Sequence, residues 1–354
     1  MIRHIEWLSR PTPWLGGGAV GLSVYAEAGP DGSLRYRGAG STGFEGVSCV
    51  DDVARAALLY CGIFRRRGWA WVGRSARGFL AFVQGMQDGD GRFANFIEDW
   101  RGGRNTTGPT SYSGGAWWTA RALHALAVGH LTFREPVYAN SFRRGLPWLL
   151  EVPVGSGAAA QAALAAIAFW RATADPAAAD AAQALIARVR RAEDGGILID
   201  DADADPTHVW GRYQEQALVR VGSALGRPDL VQLAQASADA VLAPAAATLP
   251  IRTPALPYEA SCLARGLTAV AQATGLARYA TLAAQARAWF TGRNAAGTPV
   301  YDSTVGRVYD GLDRRGGIVV RSENAGAESN VEAALALIDC LPWARLDQML
   351  STLG

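Results

Sequence analysis

The stretch Ser48-Cys49-Val50-Asp51-Asp52-Val53-Ala54-Arg55-Ala56-Ala57-Leu58-Leu59-Tyr60-Cys61 carries the first sustained helical pattern in the chain. Ser48 with Asp51 three residues on has the form of a capping box, and Val50, Ala54, Ala57, Leu58 and Cys61 then fall on one helical face. Gly68 should end this helix. Outward from it the helical segments come in pairs, expected at 49–66 with 69–86, 113–129 with 136–150, 156–174 with 176–192, 209–225 with 229–243, 257–274 with 277–291, and 326–340 with 342–352. Twelve helices in six hairpins result.

Within a pair the connection is short and marked by Gly, Pro or Asp, as at Gly68, Asp175-Pro176 and Gly226-Arg227-Pro228, which makes the two helices antiparallel neighbours. Between some pairs it is long: 87–112, 193–208 and 292–325 are rich in Gly, Asp, Asn, Arg and Tyr, a length and composition typical of functional loops. Short turns would then gather on one rim and long loops on the other. The first helix of each pair is rich in small residues, as close packing around an axis requires. The fold expected is all-α, an (α/α)6 toroid of six helical hairpins forming one domain over residues 1–354, with 1–46 as a loop-rich N-terminal segment. A superhelical repeat array is the alternative, but it needs a recurring motif, and only a recurring length is found.

Composition removes several classes of chemistry. All 34 basic residues are arginine, so there is no Schiff-base lysine, no pyridoxal-phosphate anchor and no phosphate-loop lysine. The net charge of +2 gives no nucleic-acid or membrane footprint. Cys49, Cys61, Cys262 and Cys340 form no Cys-x-x-Cys pair, so neither a zinc ribbon nor a disulfide framework is indicated. No apolar run has the length of a signal peptide or a membrane span, and a cytoplasmic location is expected. The acidic run Asp200-Asp201-Ala202-Asp203-Ala204-Asp205, with His208, offers hard oxygens of the kind that bind Ca²⁺. It lacks the glycine and terminal glutamate of an EF-hand loop and reads as solvated; no metal or other cofactor is expected.

The strings Val50-Asp51-Asp52-Val53-Ala54-Arg55-Ala56, Asp90-Gly91-Arg92-Phe93-Ala94-Asn95-Phe96, Trp118-Thr119-Ala120-Arg121-Ala122-Leu123-His124-Ala125-Leu126 and Ala325-Gly326-Ala327-Glu328-Ser329 resemble those of bacterial proteins in the six-hairpin glycosidase superfamily. The chain resembles the less characterised members, some of them found beside or fused to glycosyltransferases. The resemblance implies an (α/α)6 toroid acting on carbohydrate, with a glycosyltransferase as a possible partner. It leaves the reaction open, because such toroids serve hydrolases, lyases, epimerases and phosphorylases.

The residues themselves suggest where chemistry would sit. Asp51 and Asp52 lie in the first turn of the first helix, with Arg55 close behind; acids there complement the helix dipole, and an Asp51–Arg55 pair supports the helix. Two adjacent acids must nevertheless point differently, and one of them can face the axis. Asn95, Asp99 and Trp100 gather in the loop Gly89–Trp100, where a carboxylate or amide for vicinal hydroxyls and an aromatic face for a sugar ring stand together. Trp117 and Trp118 diverge by about 100° on a helix, so one should enter the core and the other line the axis beside Arg121. Glu215, Glu259 and Glu328 each open a first helix, accompanied by Tyr213, Tyr258 and Tyr309-Asp310; dipole complementarity explains the acids but not the tyrosines.

Glycoside hydrolysis uses two carboxylates, about 5 Å apart for retention and about 6.5–9.5 Å apart for inversion. Opposite sides of a toroid suit the wider gap, so an inverting pair drawn from Asp51, Asp52, Asp99, Glu215, Glu259 and Glu328 is expected, the others joining Arg55, Asn95, Trp100, Trp117, Trp118, Arg121, Tyr213, Tyr258, Tyr309 and Asp310 as substrate-binding groups. A lyase on a uronic-acid polymer, with tyrosine and histidine or arginine as base and charge neutraliser, is the first alternative. A non-catalytic glycan-binding partner of a glycosyltransferase is the second. A terpene-cyclase toroid would want more aromatics than the 9% present.

Overall fold

The computed structural model describes residues 1–36, 45–191, 198–199 and 209–338. Its frame is a ring of inner helices: α2 (Val50–Arg67), α4 (Ala116–Phe133), α6 (Ser156–Thr173), α8 (Gln214–Leu225), α11 (Pro257–Thr274) and α13 (Ala327–Leu337). Each inner helix packs on the next in chain order, and α13 packs back on α2, so the ring is closed. Outside it lie α3 (Ala70–Gly85), α5 (Pro136–Glu151), α7 (Pro176–Ile186), α9 (Pro228–Ser237) and α12 (Ala277–Ala288), each against its own inner partner. A π-helical turn over Ala238–Leu242 continues α9 into α10 (Ala243–Thr248).

The division into inner and outer follows from side-chain size. On α6 every residue from Ser156 to Ile167 is buried, a run dominated by alanine that lets neighbouring backbones approach on all sides. Outer helices bury a narrower stripe; α7 buries only Ala178, Ala181, Ala182, Leu185 and Ile186. Glycines in the left-handed region, Gly68, Gly226 and Gly275, close α2, α8 and α11, while Pro136, Pro176, Pro228 and Pro257 open the helices that follow turns and loops. Turns within hairpins therefore lie at the C-terminal ends of the inner helices, and the long connections lie at their N-terminal ends. Small sheets stiffen the long-loop rim: Ser48–Cys49 pairs with Phe96–Ile97, which pairs with Arg104–Asn105, and Leu312–Arg315 pairs with Ile318–Arg321.

The structure departs from the sequence reading in particular places. Residues 1–36 are more ordered than a loop-rich segment: Ile2–Leu8 forms a two-turn helix, α1, with Ile5 and Leu8 fully buried against the ring, and two antiparallel strand pairs follow. Seven residues are too few for a helical period to stand out. Ser48 caps nothing; its hydroxyl accepts the Leu22 amide, and Cys49 stands at the N-cap. Helix α4 starts at Ala116, not 113, because Gly114 turns the chain with φ at 99°. The expected helix at 342–352, Cys340 and the acidic run with His208 lie outside the described residues. Among those described, no helix is long and apolar enough to cross a membrane.

Candidate active site

Ring closure brings the first and last inner helices together, and Arg55 on α2 is where they meet. Its Nη2 donates to Asp52 Oδ1 at 2.7 Å and to Glu328 Oε2 at 3.1 Å, and its Nη1 to Glu332 Oε1 at 3.0 Å. Its Nε donates to the Asp51 carbonyl at 3.0 Å, which fixes the fork. Arg55 and Asp52 are buried, whereas the Glu328 side chain keeps 39% of its surface and opens onto the long-loop rim. A fully desolvated guanidinium needs its carboxylates, so the arrangement is mutually dependent.

The next ring segment is laid beside this one. Asp51 does not pair with Arg55 through its carboxylate; instead Oδ1 lies 2.8 Å from Arg121 Nη1 on α4. Arg121 Nη2 donates to the Tyr258 hydroxyl at 2.5 Å, and that hydroxyl lies 2.9 Å from the Tyr213 hydroxyl. Tyr213 reaches Glu332 Oε1 at 3.4 Å, and Glu332 Oε2 accepts from Ser261 at 2.7 Å and from Arg265 at 3.5 Å. The Arg121 guanidinium lies 5.3 Å from the centre of the Trp117 ring, and that of Arg55 lies 5.1 Å from the Tyr258 ring. Helices α2, α4, α11 and α13, with Tyr213 at the start of α8, thus contribute to one network.

Within it the carboxyls are driven apart in acidity. Burial pushes Asp52 up to about 6, with Arg55 opposing and the charges of Glu328 and Asp51 adding to the rise. Asp310 also rises to about 6: burial dominates, the Gly326 amide and Ser329 hydroxyl restrain it, and Glu328 raises it further. Asp310 Oδ1 accepts the Gly326 amide at 2.8 Å, which sets it immediately before the start of α13. Burial would push Glu332 up as well, but Arg55 and Arg265 outweigh it and hold that carboxyl below its ordinary range. Burial carries Tyr213 up to about 12 and Tyr258 well above the ordinary phenol value.

Of the six acids expected as catalytic, Asp51, Asp52 and Glu328 meet at the axis, with Arg55, Arg121, Trp117, Tyr213 and Tyr258 around them. The other three acids are engaged locally. Asp99 is exposed at the tip of the hairpin between Phe96–Ile97 and Arg104–Asn105, where Oδ1 accepts the amides of Arg101 and Gly102. Glu215 is buried against Arg212 at 2.9 Å and accepts from Ser237 of the outer helix at 2.6 Å. Glu259 accepts the Leu256 amide at 3.0 Å and pairs with Arg252 at 3.0 Å, a capping duty.

The remaining expected binding groups divide similarly. Asn95 accepts the Asp51 amide at 3.2 Å and donates to the Thr110 carbonyl at 2.9 Å, tying the loop to the start of α2. Trp100 packs over Gly21 and lies 5.6 Å from the Arg10 guanidinium, and Trp118 is a core anchor whose Nε1 donates to the Phe93 carbonyl at 2.7 Å. Tyr309 is buried beneath Arg321, 3.9 Å from its ring centre. Among the described residues no group of three His, Cys, Asp or Glu side chains is placed to hold a metal ion.

Four residues of this region carry no start-of-helix signal and were not singled out from sequence. Glu332 is one turn beyond Glu328 on the same face, a buried acid between Val331 and Ala333. Arg265 stands among buried apolar residues of α11, and Ser261 one turn before it. Trp210 belongs to the loop before α8; the residue is 41% exposed and its ring meets Tyr258 edge-on at 5.1 Å. His124, one turn past Arg121 on α4, is driven down to about 3 by burial and by Arg265, and its Nδ1 lies 2.9 Å from the Gln161 amide nitrogen.

No family model matches the sequence, and no curated protein matches it. Among solved structures, a sugar epimerase from a ruminal bacterium superposes with a TM-score of 0.69 at 11% identity, over 96% of this chain and 95% of that one. The cellobiose 2-epimerase of Spirochaeta thermophila gives 0.64 at 12% identity, over 99% and 94%. Endoglucanase CelQ from Clostridium thermocellum, solved with cellotriose, gives 0.54 at 13% identity, over 80% and 60%. Closed ring, hairpin order and these superpositions agree on one architecture: the chain has an (α/α)6 toroid fold.

Proposed function

We propose that this toroid is a carbohydrate-active enzyme and that its reaction is hydrolysis of a glycosidic bond by carboxylates at the Arg55 end of the axis. The observation that carries the reading is the neighbourhood of Glu328. It is half-open to the loop rim, bonded to Arg55, and beside Asp310, whose carboxyl is carried up to about 6. An acid that keeps its proton up to about pH 6, set beside an open carboxyl group, suits divided acid and base roles. Asp310 donates its proton to the leaving oxygen, and Glu328 acts from the other side as nucleophile or base. Asp52 and Glu328 share one Arg55 nitrogen at 2.7 and 3.1 Å, so their nearest oxygens lie within about 6 Å, short for the water-separated pair that the ring's width suggested.

Among the described residues, proton abstraction from carbon by tyrosine or histidine is less well supplied. A lyase or epimerase needs a base active near neutral pH, yet Tyr213 rises to about 12, Tyr258 rises further, and His124 falls to about 3. The solved structures that share the fold are named for carbohydrate substrates, which supports the substrate class and not the reaction. The test is incubation with aryl glycosides and oligosaccharides, following new reducing ends. Hydrolysis should be lost in Glu328→Gln and Asp310→Asn proteins that still fold. An epimerised product of unchanged mass, or an unsaturated product absorbing in the ultraviolet, would replace hydrolysis with the corresponding reaction.

A further inference from the structure

We infer that the site takes an uncharged sugar and rejects uronates, with Trp210 and Trp117 as the surface on which the ring lies; this rests on the reading of the axis as a carbohydrate site. Binding a uronate needs a guanidinium with donors to spare, ideally both arms of one fork. Among the described residues, each arginine at the axis is already held by protein carboxylate. Arg55 serves Asp52, Glu328 and Glu332; Arg121 faces Asp51 and the Tyr258 hydroxyl; Arg265 reaches Glu332. Those three guanidiniums are set against the four carboxyl groups of Asp51, Asp52, Glu328 and Glu332, so no positive charge at the axis is left over for a ligand. The carboxylate of a uronate would meet Glu328, the most open acid of the group, with its natural counter-ion already engaged.

What the mouth offers instead is aromatic surface. Trp210 presents 41% of its surface and stands edge-on to Tyr258 at 5.1 Å. Gly211, at φ 73°, carries the chain past the axis so closely that a Cβ there would lie 3.7 Å from both the Trp117 ring and the Tyr258 hydroxyl. Trp117, half-buried, tilts toward Tyr213 at 6.4 Å. An exposed indole that meets Tyr258, next to a glycine that passes close to the Trp117 ring, suits a pyranose that shows C–H groups to the rings and hydroxyls to the acids.

The experiment is tryptophan fluorescence titration of the whole chain with cellobiose, maltose and mannobiose, and separately with digalacturonate, run on wild type, Trp210→Ala and Trp210→Phe. Saturable quenching by at least one uncharged disaccharide and none by digalacturonate is expected. Affinity should fall about tenfold in Trp210→Ala and recover in part in Trp210→Phe, the scale of one aromatic contact. Saturation by digalacturonate overturns the inference, and so does a Trp210→Ala protein that responds to every sugar as wild type does, whether by binding it or by showing nothing. Binding without new reducing ends would overturn hydrolysis alone, and cleavage of a uronate would overturn this inference alone.

Discussion

Glu328 and Glu332 lie one turn apart on α13 and both bond Arg55, yet their replacement should have opposite consequences. Glu332 is fully buried, with Arg55 at 3.0 Å, Arg265 at 3.5 Å and the Ser261 hydroxyl at 2.7 Å. Glu332→Gln keeps the shape and an acceptor for Ser261 but leaves two buried guanidiniums short of a counter-charge. Removing one partner of a buried pair costs about 3–5 kcal/mol, and the retained acceptor puts this change near 3. For 354 residues, at roughly 2.1 cal/mol/K of unfolding entropy per residue, that lowers Tm by about 4 °C. The Glu328 side chain is 39% exposed, so solvent screening leaves its pair worth about 1 kcal/mol or less, and Glu328→Gln should melt within about 1 °C of wild type. Turnover should rank the other way, falling about 100-fold or more in Glu328→Gln, the scale of a lost acid or base. Scanning calorimetry on the two purified proteins, with a reducing-end assay, reads both quantities. A Glu328→Gln protein that melts as low as Glu332→Gln would refute the division between an open working acid and a buried structural one.

Three further outcomes follow from the same geometry. With Asp310 at about 6 as the acid, kcat should decline as pH rises above 6, and Asp310→Asn should abolish that alkaline limb in whatever activity survives; a limb that persists removes Asp310 from the role. His124 is neutral in the fold with its pKa at about 3, while unfolded histidine takes up a proton near 6.5, so its contribution is present above 6.5 and fades as pH falls toward 3. Relative to wild type, His124→Asn should flatten the loss of stability between pH 6.5 and 4 by about 3 kcal/mol, measured by denaturant titration at each pH; parallel curves would contradict it. Gly91→Ala should cost more than about 2 kcal/mol, because φ is 94° and the new Cβ would lie 2.1 Å from the Arg144 carbonyl oxygen; an unchanged denaturation midpoint would show that this loop can move.

The hairpins were legible because their punctuation is local. Pro257 at the first helical position and Gly275 just past the end bracket α11 with the same limits that the periodicity marks, and Asp175-Pro176 and Gly226-Arg227-Pro228 do the same for neighbouring turns. The site was legible only in part, because an acid in the first turn of a helix satisfies the dipole whichever way it points. Glu259 and Glu328 look alike in sequence; rotation about the helix axis sends one to Leu256 and Arg252 and the other to Arg55. Glu215 was drawn outward by Arg212 and Ser237, a pairing with a residue 22 positions away that no short-range rule contains. Glu332 escaped because nothing marks a mid-helix acid as central until the ring is closed around it, although its apolar neighbours Val331, Ala333 and Ala334 make an unpaired charge there costly. Ile2–Leu8 escaped for the simpler reason that two turns hold too little pattern.

Arg55 and Glu332 are separated by 277 positions along the chain, and their bond spans the seam between first and last inner helices. A nascent polypeptide must therefore carry a desolvation-prone arginine through the synthesis of four intervening inner helices before its full set of counter-ions exists. Until the last of them docks, the early helices can stack but the centre lacks Glu328 and Glu332. Competence is thus withheld from every partly made form, and long-range closure, slow by nature, becomes the step that switches the molecule on.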